Sequence, residues 1–337
     1  MRPDIFNALQ PKCLSCGQDI FVAIQTQVDA GHIIEGELRC RGCKASWPII
    51  DGMPILLADV QGWLVQHAAV LLRRDDLSTL SENRLGDALG IGSTFDTERQ
   101  YLSNYATDHW GAFAGGPESR ALALLQRVSK DFEGPILDLG CSTGRISVEL
   151  AQSGKTVVGI DLHAGMLRMA ARVLQTGRAR WPRRRLGTAF ERIDVPVPLN
   201  TETVDFWVSD VTSLPFVPGQ FGTIVSMNLI DCVPSPAEHI RHLAHLLRPG
   251  GRLLLATPYD WSPGASAPGD WLGGLGMDPV PAEQQLRDLL NPYFEIEHEE
   301  ERVPWEVRLH DRCRVMYEDH LIVAKRRAEA IFEAGGQ

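Results

Sequence analysis

An α/β fold with a mostly parallel sheet, joined to a small cysteine-rich module at its N-terminus, is predicted by three features of the sequence. The first is residues 136–145, Ile-Leu-Asp-Leu-Gly-Cys-Ser-Thr-Gly-Arg: a buried strand, a tight turn at Gly140 and Gly144, and the start of a helical pattern. The second is the alternation of short apolar runs with helical periodicities from residue 119 onward, which gives right-handed crossovers and parallel strands. The third is a pair of Cys-x-x-Cys motifs, Cys13/Cys16 and Cys40/Cys43, with 23 residues between them.

The 337 residues suffice for one large domain and a small one, and 44% hydrophobic residues can fill a core. No apolar run is long enough to span a membrane, and residues 1–10 lack the apolar centre of a signal peptide. A formal net charge of −10 disfavours nonspecific binding to nucleic acid, which needs a basic surface. The exception is the run Arg178-Ala-Arg-Trp-Pro-Arg-Arg-Arg185, which reads more readily as a solvated loop than as a phosphate contact. Cysteines arranged as metal ligands point to a reducing cytoplasm.

Residues 1–57 form the first module. Each Cys-x-x-Cys pair can turn two thiolates toward one ion, and four thiolates give a closed tetrahedral zinc site; two disulfides are the alternative. Short strands are expected at 20–26 and 37–39, and a module this small needs the metal for much of its stability. Residues 58–115 form a helical connector, with helices at 60–72, 77–89 and 97–110 and a break at 90–93. In the last helix Tyr101, Tyr105 and His109 are spaced by four and share one face, as a lid or as packing. The main domain, 116–328, has helices at 119–128, 145–153, 163–175, 237–247 and 282–290. Its strands fall at 136–139, 156–160, 204–208, 221–229 and 252–256, and the 294–303 and 314–324 pair follows. Residues 176–204 read as an insertion, a loose hairpin, and 329–337 as a tail.

The strand Lys-Thr-Val-Val-Gly-Ile-Asp at 155–161 ends in Asp161, where a carboxylate can bind both hydroxyls of a ribose. A dinucleotide fold needs G-x-G-x-x-G, but position 142 is Ser and the acid sits inside the first strand, at Asp138. This D-x-G-x-x-x-G-R pattern with a second-strand acid resembles the class I S-adenosylmethionine-dependent methyltransferases. The resemblance implies a Rossmann-like sheet with an antiparallel last strand and S-adenosyl-L-methionine as cofactor. It places Asp138 at the turn and the methionine end, Asp161 at the ribose, and Gly140, Cys141, Ser142, Gly144, Arg145 and Leu162 around them. The usual turn has Gly where Ser142 stands; Ser is small enough to keep it. The stretch 210–216, Asp-Val-Thr-Ser-Leu-Pro-Phe, looks like the family's adenine loop, with Asp210 accepting from the adenine amino group beside Val211. Capping the next turn is the alternative for Asp210. Residues 47–56, Trp-Pro-Ile-Ile-Asp-Gly-Met-Pro-Ile-Leu, resemble the ribbon of Trm112-like proteins, which activate methyltransferases, so the resemblance implies a structural or regulatory ribbon; four thiolates leave no open coordination position, so the zinc is read as structural.

Ligands of such sheets bind beyond the carboxyl ends of the strands. There the chain carries Asn228-Leu-Ile-Asp231, Arg248-Pro-Gly-Gly251, Pro258-Tyr259-Asp-Trp261, Trp271-Leu-Gly-Gly274 and Val303-Pro-Trp305-Glu-Val-Arg308. Together these resemble the C-terminal methyltransferase domain of ovothiol synthases over about residues 135–325. Carnosine N-methyltransferase is similar at fewer places. Both relatives methylate an imidazole nitrogen, so the resemblance implies histidine, a thiohistidine or a histidine-containing peptide as acceptor. Methyl transfer is an in-line displacement, and alignment alone can be worth roughly 7–11 kcal/mol. A carboxylate that accepts from one imidazole nitrogen fixes the tautomer and leaves the other free to attack. Asp231 is the candidate carboxylate, with a turn acid before Pro234 as its plain alternative, and Asn228 would line the methyl end. Tyr105, Tyr259, Trp261, Trp271, Trp305 and Tyr317 could wall the acceptor, and Arg308 could hold its carboxylate. Cys141, Cys232 and Cys313 read as small apolar fillers. Two other classes stay open: an RNA base methyltransferase that uses the ribbon and the basic run, and a ribbon-bearing regulator that binds the cofactor without turnover. A homo-oligomer is compatible with either.

Overall fold

The computed structural model describes residues 1–128, 132–274 and 279–330. The expected tail lies outside the described residues from position 331. The chain opens with a helix that sequence periodicity did not predict, α1 (Pro3–Leu9), which starts on a proline and buries Ile5, Phe6 and Leu9. Phe6 meets Trp207 of the main domain, with ring centroids 5.7 Å apart. The ribbon follows as an antiparallel meander: β1 (Ile20–Asp29), β2 (His32–Cys40), β3 (Ser46–Ile50) and β4 (Met53–Leu56).

The connector helices are α2 (Val60–Leu71), α3 (Thr79–Leu89) and α4 (Thr94–Trp110), and α5 (Arg120–Gln126) leads into the main domain. Each begins at a capping side chain (Asp59, Ser78, Ser93 and Ser119), which accepts from a backbone N–H of the first turn. The main domain continues with β5 (Ile136–Leu139), α6 (Arg145–Ala151), β6 (Val157–Asp161) and α7 (Ala164–Thr176). Next come β7 (Arg178–Leu186), β8 (Ala189–Pro196), β9 (Val204–Ser209), β10 (Phe221–Met227), α8 (Pro236–Leu246) and β11 (Leu247–Thr257). Last are α9 (Ala282–Leu290), β12 (Phe294–His310) and β13 (Cys313–Arg326).

Eleven strands form one sheet in the order β1-β2-β3-β4-β9-β6-β5-β10-β11-β13-β12. The strands from β4 through β11 pair in parallel and are almost wholly apolar, as expected of strands covered on both faces. The last pair, β12 and β13, is antiparallel, as the sequence led us to expect. The ribbon continues this sheet: Ile55 aligns with Val208 and Leu56 with Ser209, and the Ser209 hydroxyl donates to the Leu56 carbonyl at 3.1 Å.

The insertion is a hairpin, β7–β8, as expected, but a regular one, so the run 178–185 is a strand and not a loop. Strand alternation turns Ala179 and Trp181 inward, and the Trp181 indole donates to Thr107 of α4 at 3.1 Å. The arginines stand among acids and other acceptors. Arg178 pairs with Asp194 at 2.7 Å, Arg185 with Asp311 at 2.8 Å, Arg183 with Glu191, and Arg184 bonds Gln100 at 2.7 Å. The basic run is therefore internally paired. No described helix is long and apolar enough to cross a membrane.

If the ribbon and the domain share a sheet, they unfold together. Ile55→Ala, at a fully buried position, is expected to cost about 3 kcal/mol. Urea denaturation should then show one transition for Trp47 and Trp207 alike, shifted to lower urea.

Candidate active site

The turn after β5 is built from left-handed residues: Gly140 has φ 69°, Ser142 φ 53° and Gly144 φ 84°. Gly140 and Cys141 donate their N–H groups to the Ile160 carbonyl at 2.8 and 3.0 Å, which ties the turn to β6. A Cβ on Gly144 would lie 2.4 Å from the Phe206 ring and 2.9 Å from Ala170. Ser142 does occupy a glycine-like conformation. Its N–H donates to Asp161 at 2.9 Å, and its hydroxyl faces the Met166 sulfur at 3.2 Å. Asp138 is buried and accepts from the Ser147 hydroxyl at 2.5 Å, and burial pushes its carboxyl up to about 7. The other oxygen of Asp161 accepts from the His163 N–H at 2.8 Å.

These residues line a cavity of about 370 Å³ at the carboxyl ends of β5, β6 and β10. Helix α4 forms one wall through Tyr101, Asn104, Tyr105, Asp108 and His109, so the four-spaced face covers the cavity. His109 is held by Thr143 at 2.9 Å. Burial and then the Arg145 charge lower its pKa to about 3, so it stays neutral and is no base near pH 7. Trp110 donates to the Thr143 carbonyl at 3.0 Å and anchors the helix to the turn.

Several predicted cofactor residues stand outside the cavity lining. Asp210 accepts from both the N–H and the hydroxyl of Thr212, at 2.8 and 2.7 Å, the turn-capping alternative. Val211 packs against the apolar core, and the Leu162 side chain is exposed while its carbonyl accepts from Trp63 at 3.0 Å. Arg145 pairs with Glu149 at 2.9 Å and lies over the Trp110 and Phe113 rings. Gly144 supports the turn from behind.

At the acceptor end, Asn228 follows β10 with φ 52° and donates its N–H to Ala256 at 2.8 Å. Asp231 is buried. One oxygen accepts from the Asp260 N–H at 3.1 Å, the other has no partner, and burial pushes the carboxyl up to about 6. Sequence reasoning missed Asp319 of β13, which is fully buried with no hydrogen-bond partner for either oxygen. Burial pushes it up to about 7, the nearby Asn228 side chain opposes this, and Asp231 adds to it. A carboxylate two residues ahead of the apolar run Leu321–Ala324, with only His320 between, was the available signal. Asp138, Asp231 and Asp319 all titrate above the ordinary carboxylate range. The stability they contribute when protonated is therefore full below the ordinary carboxylate value of 3.8 and is lost as pH rises from there to about 6 for Asp231 and about 7 for Asp138 and Asp319.

The aromatic residues divide. Tyr105 and Trp305 line the cavity, and Trp305 lies 5.2 Å from Tyr317. Trp261 and Trp271 stack on each other at 6.4 Å, and the Tyr259 hydroxyl is engaged with His320 at 2.6 Å. Arg308 is bound to Asp311 of its own hairpin, so it is not free to hold a substrate carboxylate. Cys141 is buried, as expected of a filler. Cys232, by contrast, is exposed and lines the cavity, because it follows the Asp231 turn rather than a strand, and Cys313 is half-buried. In the ribbon the sulfurs of Cys13, Cys16, Cys40 and Cys43 all lie within 4.8 Å of one another. That spacing is compatible with tetrahedral Zn–S bonds of ~2.3 Å.

Residues 137–255 match a family described as a methyltransferase domain. Residues 137–255, about a third of the chain, are thus similar to methyltransferase domains. Curated relatives include the ubiquinone biosynthesis O-methyltransferases of Xanthomonas euvesicatoria pv. vesicatoria and Serratia proteamaculans. The first is 32% identical over 152 residues, covering 43% of this chain and 54% of that protein. The second is 28% identical over 135 residues, covering 40% and 46%. The chain thus spans about half the length of the curated relatives it matches. Among solved structures, a methyltransferase from Methanosarcina mazei aligns with a TM-score of 0.42 at 24% identity, over 61% of this chain and 98% of that one. A protein from Pyrococcus horikoshii aligns with a TM-score of 0.45 at 17% identity, over 69% and 99%.

Gly144→Ala places a methyl group where Phe206 already stands, in a left-handed conformation. We expect a loss of about 3 kcal/mol or more in denaturant unfolding and weakened S-adenosylmethionine binding by calorimetry.

Proposed function

We propose that this protein is an S-adenosylmethionine-dependent N-methyltransferase whose acceptor is an imidazole nitrogen of histidine or a histidine derivative. The observation that carries this reading is the buried Asp231. It holds an unpartnered oxygen on the turn between Asn228 and Cys232, two residues that line the methyltransferase cavity.

The turn residues fit the cofactor: two buried or half-buried carboxylates, Asp138 and Asp161, beside a close backbone at Gly140 and Ser142. Asp138 and the turn would hold the methionine end, and Asp161 the ribose. Bound there, the cofactor supplies an electrophilic methyl group on a sulfonium. The chain's own residues do the rest. The free Asp231 oxygen accepts the imidazole N–H, which fixes the tautomer and leaves the other nitrogen's lone pair available. As the ring gains charge, the same carboxylate stabilises it. Asn228 borders the methyl end, and α4 with Tyr105 keeps water out. The paired arginines of β7 count against an RNA acceptor.

A second reading, O-methylation, is favoured by the similarity to ubiquinone biosynthesis O-methyltransferases. A buried carboxylate that titrates near 6 could equally take a phenolic proton. The two separate in one assay: S-adenosylmethionine with histidine, 5-thiohistidine, a histidine dipeptide or a catechol, followed by mass spectrometry. A methyl gained on an imidazole supports the first reading. A gain on the catechol alone replaces it, and no gain on any acceptor overturns both.

Asp231→Asn is expected to keep cofactor affinity and lose turnover by about 10²–10⁴-fold. The kcat/KM of the unaltered enzyme should fall as pH is lowered through about 6, because Asp231 must be ionised to accept. An unchanged profile would remove Asp231 from this role.

The four ribbon cysteines are proposed to hold a structural zinc ion in a reducing compartment such as the cytoplasm, since four thiolates leave no open coordination position. Metal analysis should find about one zinc ion per chain. Cys40→Ser should lower that content and the Tm together, because the ribbon continues the main sheet.

A further inference from the structure

We propose that the acceptor enters as a cation: an ammonium group close to its nucleophile is held by Asp260 and Asp319 against the faces of Trp305 and Tyr317. This rests on the N-methyltransferase reading above and adds the charge of the substrate to it.

The cavity is lined by Asp108, Asp138 and Asp161, and among its described residues there is no Arg or Lys. Those three acids are already engaged. Asp108 caps α5 by accepting from the Arg120 N–H at 2.8 Å, Asp138 accepts from Ser147, and Asp161 accepts from Ser142 and His163. The acids beyond β10 are held more loosely: Asp231 by the Asp260 N–H, Asp260 beside the Tyr317 hydroxyl, and Asp319 beside the Asn228 amide. Asp319 is 0% exposed, yet neither of its oxygens has a partner, and no described cation pairs with it. A buried carboxylate without a counter-charge, and with only the Asn228 amide beside it, is costly, so its place is explained by a charge that arrives with a ligand.

The register of the last hairpin sets its direction. Trp305 aligns with Tyr317 and Val303 with Asp319, and period-two alternation puts Val303, Trp305, Val307, Tyr317 and Asp319 on one face. Trp305 and Val307 line the cavity, so Asp319 stands on that side. Asp260 is exposed, its N–H fixed on Asp231 at 3.1 Å and its carboxylate beside Tyr317. Carboxylates with two aromatic faces suit an ammonium ion. An anionic group would meet Asp231, Asp260 and Asp319 with no compensating cation, since Arg308 is bound to Asp311. The amine of a histidine-like acceptor is then its handle, and the carboxylate is not.

The test uses the full chain loaded with S-adenosylhomocysteine. Calorimetry compares histamine, which carries only the ammonium, with imidazolepropionate, which carries only the carboxylate; kcat/KM is compared with S-adenosylmethionine present. We expect histamine to be favoured by about tenfold or more, with Asp260→Asn and Asp319→Asn each narrowing the preference to about threefold or less. Should Asp319→Asn misfold, the exposed Asp260 keeps the test intact. Imidazolepropionate bound as tightly as histamine, or a preference unchanged in Asp260→Asn, overturns the proposal. If neither imidazole is methylated, phenethylamine against 3-phenylpropionate still reads the site. A preference for the amine keeps the cation site while the imidazole reading falls, and no preference removes both.

Discussion

The missing side chain at Gly144 sets the distance between the start of α6, the Phe206 ring on β9 and Ala170 on α7. Gly159 on β6 leaves room for the same ring. Phe206 therefore fills a slot that two glycines open, and the helix start comes down onto the sheet. From that contact follows the rest of the cofactor end. Ser142 reaches Asp161, the turn N–H groups reach the Ile160 carbonyl, and α4 can lay His109 and Trp110 against Thr143.

The ribbon belongs to the same construction. A strand at the edge of a parallel sheet exposes a row of backbone donors and acceptors. Here β4 covers that edge on β9, so the cysteine module borrows hydrogen bonds and apolar cover from the domain it precedes. The helix α1 adds to this from the other side, through Phe6 on Trp207. Edge strand and helix together supply cover that a module of this size cannot supply alone.

The two ends of the active site are electrically different. At the turn, each carboxylate has backbone or hydroxyl donors. Beyond β10, Asp231 keeps one oxygen without a partner and Asp319 has only the Asn228 amide beside it, although both side chains are buried. Unsatisfied buried acids of this kind mark functional sites more often than structural ones.

Most helices and the parallel strands were legible in the sequence because their signals are local: capping Ser or Asp residues, apolar periods, and glycines at turns. The D-x-G-x-x-x-G-R motif and the paired cysteines were equally local, and each lands on one turn or one sulfur cluster. What the sequence could not decide depended on distant partners. The arginines of β7 read as a basic run until Asp194, Glu191, Asp311 and Gln100 came beside them. Arg308 looked like a substrate anchor until the hairpin turn brought Asp311 to it, and Asp210 was free to be an adenine acid until Thr212 occupied it. Asp319 carries no motif at all. Its meaning comes from register, which sets it on the face of Trp305, and from burial, which removes the water that would otherwise satisfy it. Charge partners and burial are properties of the assembled chain, because both depend on residues far apart in sequence meeting in space.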